Sequence, residues 1–167
     1  MKTNKNIFNL VFAALFAALI FVLTKFVSIP TGIGYVHLGD AAIYLAAAFL
    51  PTPYAMAAAG IGGAMSDLVG GYFVYIPVTF IIKALLALCF TSKKENVINV
   101  RNIIALIICC GITVFGYFSF EIFYYGAAAY ASMLPNLLQA VASGVLFVVI
   151  GFAFDKAKIK NRLVATN

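Results

Sequence analysis

What most constrains this chain is the near-exclusion of charge from its long apolar runs. Of 167 residues, 65% are hydrophobic and only 10% charged. A water-soluble domain of this length has too little interior to hide so much apolar surface, whereas a helix bundle in hydrocarbon needs no polar exterior. Runs at roughly 7–26, 38–50, 54–69, 77–90, 103–125 and 134–154 predict an all-α, six-helix integral membrane bundle, formed as one domain over 1–167. The N-terminal run is longer than the apolar region of a signal peptide, and no small-residue cleavage pattern follows it. It reads as a retained first helix.

Punctuation between the runs is clear. Ser28-Ile29-Pro30-Thr31-Gly32-Ile33-Gly34 predicts a loop or re-entrant turn, Pro51-Thr52-Pro53 a tight turn, and Gly70-Gly71 a helix stop. Pro77 suits a first helical turn. The second run would reach only about 20 Å as a helix, which sets Asp40 below the membrane surface.

With six crossings both termini share a side, joined there by the polar loop after the fourth run. Lys2, Lys5, Lys93, Lys94, Arg101, Lys156, Lys158, Lys160 and Arg162 fall on it, nine of the 11 Lys and Arg. The positive-inside rule makes that side cytoplasmic. The net charge of +6 therefore reports topology and not a nucleic-acid partner. Cys89, Cys109 and Cys110 lie within apolar runs without CxxC spacing, so they read as buried small side chains, and neither a metal nor a cofactor is expected.

The same topology gathers the remaining polar groups near the outer face. An ionisable side chain at membrane depth marks a cavity, a partner or a pathway. His37, Asp40, Asp67, Lys83 and Glu121 are of this kind; Tyr44 and Tyr125 sit at helical spacing from Asp40 and Glu121, and Asn136 and Gln139 at the start of the sixth run offer neutral hydrogen bonds. Together they predict an outward-facing pocket for a small molecule. Plainer roles compete: Asp40 as a helix N-cap, Asp67 as the structural counter-ion of Lys83, and Tyr72 and Tyr130 as interfacial tyrosines. Two further function classes are an intramembrane aspartyl enzyme built on Asp40 and Asp67, and a scaffold whose polar groups only pair with one another. On the first helix, Ala13, Ala14, Ala17 and Ala18 form overlapping small-xxx-small pairs, suited to close packing inside the protein or against an external partner helix.

Three blocks carry a resemblance. They are the alanine pattern Ala13-x-x-x-Ala17 with its twin Ala14-x-x-x-Ala18, the junction Val36-His37-Leu38-Gly39-Asp40-Ala41-Ala42-Ile43-Tyr44, and Gly60-Ile61-Gly62-Gly63-Ala64-Met65-Ser66-Asp67-Leu68 with Tyr72 and Pro77-x-Thr79-Phe80-Ile81-Ile82-Lys83. With them the chain resembles the substrate-binding S component of an energy-coupling factor (ECF) vitamin transporter, in the branch handling riboflavin, hydroxymethylpyrimidine or pyridoxine. The resemblance implies a multi-pass protein of the bacterial plasma membrane. It implies a vitamin or precursor held near the outer face, and docking through the alanine face onto a transmembrane T component driven by two ATPases. No Walker-type glycine loop is present, which agrees with ATP being hydrolysed elsewhere. The charged set favours hydroxymethylpyrimidine or a pyridoxine-like ring over riboflavin. With no tryptophan in the chain, tyrosine and phenylalanine must supply the stacking surface.

Overall fold

A computed structural model describes residues 5–31 and 35–160; Lys2, Gly32, Ile33, Gly34 and Arg162, on which the loop and charge readings drew, lie outside them. Helices occupy all six apolar runs: α1 (Lys5–Phe26), α2 (Gly39–Phe49), α3 (Thr52–Gly70), α4 (Ile76–Cys89), α5 (Val100–Tyr125) and α6 (Tyr130–Lys156). Short 3-10 turns, Phe73–Tyr75 and Gly126–Ala129, lead into α4 and α6. The expected punctuation holds at α3, which starts at the Pro51-Thr52-Pro53 turn and ends at Gly71. That glycine has φ 80° and donates its N–H to the carbonyls of Asp67 and Leu68.

The segment after α1 is not an irregular loop. Strands β1 (Ser28–Pro30) and β2 (Tyr35–His37) pair antiparallel, with Ser28 opposite His37, Ile29 opposite Val36 and Pro30 opposite Tyr35. Ile29, Tyr35 and Val36 are strand-favouring residues, which suits them to this pairing.

The bundle is apolar outside and encloses a polar cluster beside its apolar core. Leu10, Leu15, Phe26, Ile107, Phe115, Phe123, Leu134, Val149 and Phe152 stand exposed around it, while His37, Asp40, Asp67, Lys83, Thr113, Glu121 and Gln139 are buried. Hydrocarbon, and not water, is the solvent for such a surface. By length and composition α1 and the α5–α6 stretch are long and apolar enough to cross a membrane. Helix α2 has only 11 residues, about 16 Å. All but its last residue are buried, so it forms the centre of the bundle and not a lipid-facing span.

Close approach makes that centre possible. A Cβ on Gly62 would lie 2.7 Å from the carbonyl oxygen of Ala17, so α1 and α3 touch backbone to backbone. Below the polar zone, Tyr44 stacks on Phe90 at 4.9 Å, and Phe147 meets both rings edge-on. At the other end, the connection before α5 is held down. Asp155 accepts from the backbone N–H of Val97 (2.7 Å) and Ile98 (2.9 Å), and buried Asn102 bonds Thr91 and Val97.

Candidate functional site

Seven parts of the fold converge on one cleft. The hairpin contributes Thr31, Tyr35 and His37; α1 gives Thr24 and α3 gives Asp67. Tyr72 and Tyr75 come from the α3–α4 connection and Thr79 from α4. Helix α5 adds Tyr117 and Glu121, and α6 adds Ser132, Pro135, Asn136 and Gln139. The cleft has a volume of about 540 Å³ with its open mouth included, while its enclosed part is narrow, with room for a few waters only.

A sealed ionic network lies behind it. Lys83 Nζ donates to Asp40 Oδ1 at 2.6 Å, and both side chains are essentially without exposure. Gln139 Nε2 donates to Asp40 Oδ2 at 3.0 Å, while Gln139 Oε1 accepts the backbone N–H of His37 at 3.2 Å. Lys83 Nζ also lies 5.5 Å from the centre of the Tyr117 ring. The counter-ion of Lys83 is therefore Asp40 and not Asp67. Nor is Asp40 an N-cap: Leu38 holds that position without a side-chain bond, and the Asp40 carboxylate is turned inward to the lysine. Gly63 makes room for this arrangement, since a Cβ there would sit 2.9 Å from Lys83 Cγ.

His37 is held as a neutral imidazole. Its Nδ1 accepts the backbone N–H of Gly39 at 3.1 Å, which leaves the ring proton on Nε2 as a donor. Burial first, and the Lys83 ammonium second, push its pKa down to about 3, outweighing the pull of Asp40.

Two acids remain in the cleft without a cation. Asp67 Oδ1 accepts from the Tyr35 hydroxyl at 2.8 Å, fastening the hairpin to α3, and the Tyr35 ring lies 5.2 Å from that of Tyr72. Asp67 Oδ2 is buried and has no hydrogen-bond partner, and the same is true of Thr24 Oγ1. Glu121 is satisfied by neutral groups, with Oε1 accepting from Tyr75 at 3.1 Å and Oε2 from Ser132. Asp40 and Asp67 share no hydrogen bond, and Asp40 is closed off by Lys83 and Gln139, so the pair lacks the shared proton of an aspartyl dyad.

Of the residues singled out from sequence, His37, Asp67, Glu121, Asn136 and Gln139 line the cleft. Asp40 and Lys83 are outside its lining, paired with each other. Tyr44 does not reach it, because α2 is enclosed on every side and turns that ring into the core. Tyr125 is 41% exposed and outside the lining, in ring contact with Tyr75 at 6.5 Å. Tyr72, read as an interfacial tyrosine, lines the cleft instead. Sequence reading passed over Thr24, Tyr117 and Ser132. Tyr117 lies one helical turn before Glu121 on α5, and that spacing was the available signal.

The alanine pairs divide. Ala13 is buried and Ala17 packs its backbone on α3, whereas Ala14 and Ala18 are exposed. The family model described as ECF-type riboflavin transporter, S component, matches residues 4–157. No curated protein matches the chain.

Proposed function

The chain belongs to the family of ECF-type riboflavin transporter S components, and from that premise we propose that it is the substrate-binding subunit of an ATP-driven importer, taking a small vitamin or vitamin precursor into a bacterial cell. The protein is one membrane domain that crosses the plasma membrane six times. The basic termini and the Thr91–Asn99 connection face the cytoplasm, and the hairpin faces outward. A T component and two ATPases supply the energy, and the exposed Ala14 and Ala18 form the face on which the T component docks.

Substrate occupies the cleft beneath the hairpin. Unpaired Asp67 Oδ2 carries this reading: a buried carboxylate oxygen left without a donor costs on the order of 1–3 kcal/mol, and a ligand N–H or O–H at that position recovers it. The other groups suit the same kind of ring. His37 Nε2 donates, Asn136 offers both a donor and an acceptor, and the rings of Tyr35, Tyr72, Tyr75 and Tyr117 give stacking surface. The narrow interior favours a single ring with amino and hydroxyl substituents, such as hydroxymethylpyrimidine or a pyridoxine-like compound. Riboflavin is the second reading, favoured by the family's description; its three fused rings exceed the narrow enclosed part of the cleft and would extend into the open mouth.

A thermal-shift screen of the purified chain against B vitamins and their precursors tests the proposal. A stabilising hit from a one-ring compound is expected. A response to riboflavin alone would replace the favoured ligand, and a flat panel would overturn the carrier function.

A further inference from the structure

The cleft holds more acid than base. Asp67 and Glu121 both line it, each 4% exposed. The bases nearby are already engaged or neutral. Lys83 donates to Asp40, and that is the single ion pair among the described residues. Lys25 approaches Gly70 at the outer end of α3 without bridging either acid. The other titratable groups that face the cleft are His37 and Tyr35 from the hairpin, Tyr72 and Tyr75 before α4, and Tyr117 from α5. His37 presents a neutral N–H, and the tyrosines present hydroxyls.

The two acids are not equivalent. Tyr75 and Ser132 meet both oxygens of Glu121. Asp67 has one oxygen on Tyr35 and the other outside any well-formed hydrogen bond, although the Thr79 hydroxyl lies near the carboxylate, and the buried hydroxyl of Thr24, also in the lining, is likewise unpartnered. Low-dielectric surroundings penalise a lone carboxylate, so a cationic ligand stabilises its ionised form and is favoured, whereas a neutral or anionic ligand leaves that cost in place.

Resting on the reading of this cleft as the substrate site, we propose that the protein selects a cationic nitrogen heterocycle, whose protonated amine or ring nitrogen bonds Asp67 Oδ2. Glu121, held by neutral donors, adds negative potential from α5. Charge, beyond ring size, is then what sets the substrate apart from the neutral flavin in the family's description.

The test is isothermal titration of the full chain in lipid nanodiscs at pH 7.5. The probes are pyridoxamine, pyridoxine and 4-pyridoxate, which share a ring and differ in charge, with thiamine as a permanent cation and riboflavin as a large neutral ligand. Pyridoxamine or thiamine should bind at least tenfold tighter than pyridoxine, and 4-pyridoxate weakest of the series. Asp67→Asn should remove that preference. If Asp67→Asn does not fold, Tyr35→Phe serves in its place: it strips a donor from Asp67, leaves more negative charge for the ligand, and should sharpen the preference for the cation. Equal binding of pyridoxamine and pyridoxine, a preference that survives Asp67→Asn, or one that falls in Tyr35→Phe would overturn the proposal. Riboflavin binding without cation binding would overturn the charge selectivity and leave the carrier function standing. No binding by any probe would overturn both.

Discussion

Lys83 and Asp40 set the terms at the scale of the residue. Removing one member of a buried pair strands the other charge inside the bundle, a loss of about 3–5 kcal/mol. Lys83→Met should therefore unfold at much lower denaturant or temperature in detergent, and Lys83→Met combined with Asp40→Asn should recover most of the difference. If the double variant is no more stable than the single one, the pair is not the source of the effect. His37 gives a pH signature. Its pKa falls from about 6.5 in an unfolded chain to about 3 in the fold, so the folded protein resists a proton that the unfolded chain accepts. Its contribution to stability is complete above about pH 6.5 and declines as pH falls from there toward 3. Melting curves across that range should fall less steeply for His37→Gln than for the unaltered protein. Much of this chemistry was legible in the sequence, which required Lys83 to have a counter-charge. The choice of Asp40 was not legible, because Asp40 and Asp67 reach similar depth and only the packing of α2 against α4 selects between them. Tyr44 shows the same limit: its spacing from Asp40 put it on the right face of α2, but a helix buried all round has no single inward face.

Contacts between elements depend on small residues and on a few side chains that tie down backbone. Gly62→Val would drive a side chain into the Ala17 carbonyl and Ile20, and backbone at 2.7 Å cannot yield as a flexible side chain does. A destabilisation of about 1–3 kcal/mol is expected, read as a lower melting temperature; an unchanged melting temperature would deny the close contact of α1 and α3. Asp155→Ala would leave the Val97 and Ile98 N–H groups without acceptors. It should raise hydrogen exchange in residues 91–99 while exchange near the hairpin stays as it was. Helix positions were readable from hydropathy and from the Pro and Gly boundaries. The hairpin was not, because its strands have three residues each, too few for alternation to register against Pro30 and the glycines. The clasp of Asp155 on the connection before α5 was invisible for another reason: its partners are backbone groups 57 and 58 positions away.

The whole molecule presents two kinds of surface: a polar cleft beneath the hairpin and an apolar exterior, on which we place the docking face at Ala14 and Ala18. The split of the alanines separates these functions. Ala14→Trp with Ala18→Trp alters only exposed positions, so uptake into cells should fall while the purified chain binds its ligand as before. The same substitutions at Ala13 and Ala17 should cost folding itself, and equal loss of ligand binding in both variants would contradict the assignment of faces. Membrane class and family were readable at this scale because they depend on the sum of many residues, where single misplacements do not matter. Ligand identity depends on which of a few groups are left unpaired, and that emerges only once the chain is folded. The central claim is that the cleft under the hairpin holds one substrate molecule through Asp67. Equilibrium dialysis of the purified chain with its best one-ring ligand tests this most directly. The account predicts one molecule bound per chain and, in Asp67→Asn, affinity lower by about tenfold or more, as expected for loss of a charge-assisted hydrogen bond. Unaltered affinity in a folded Asp67→Asn protein, or no binding to the isolated chain, would contradict it.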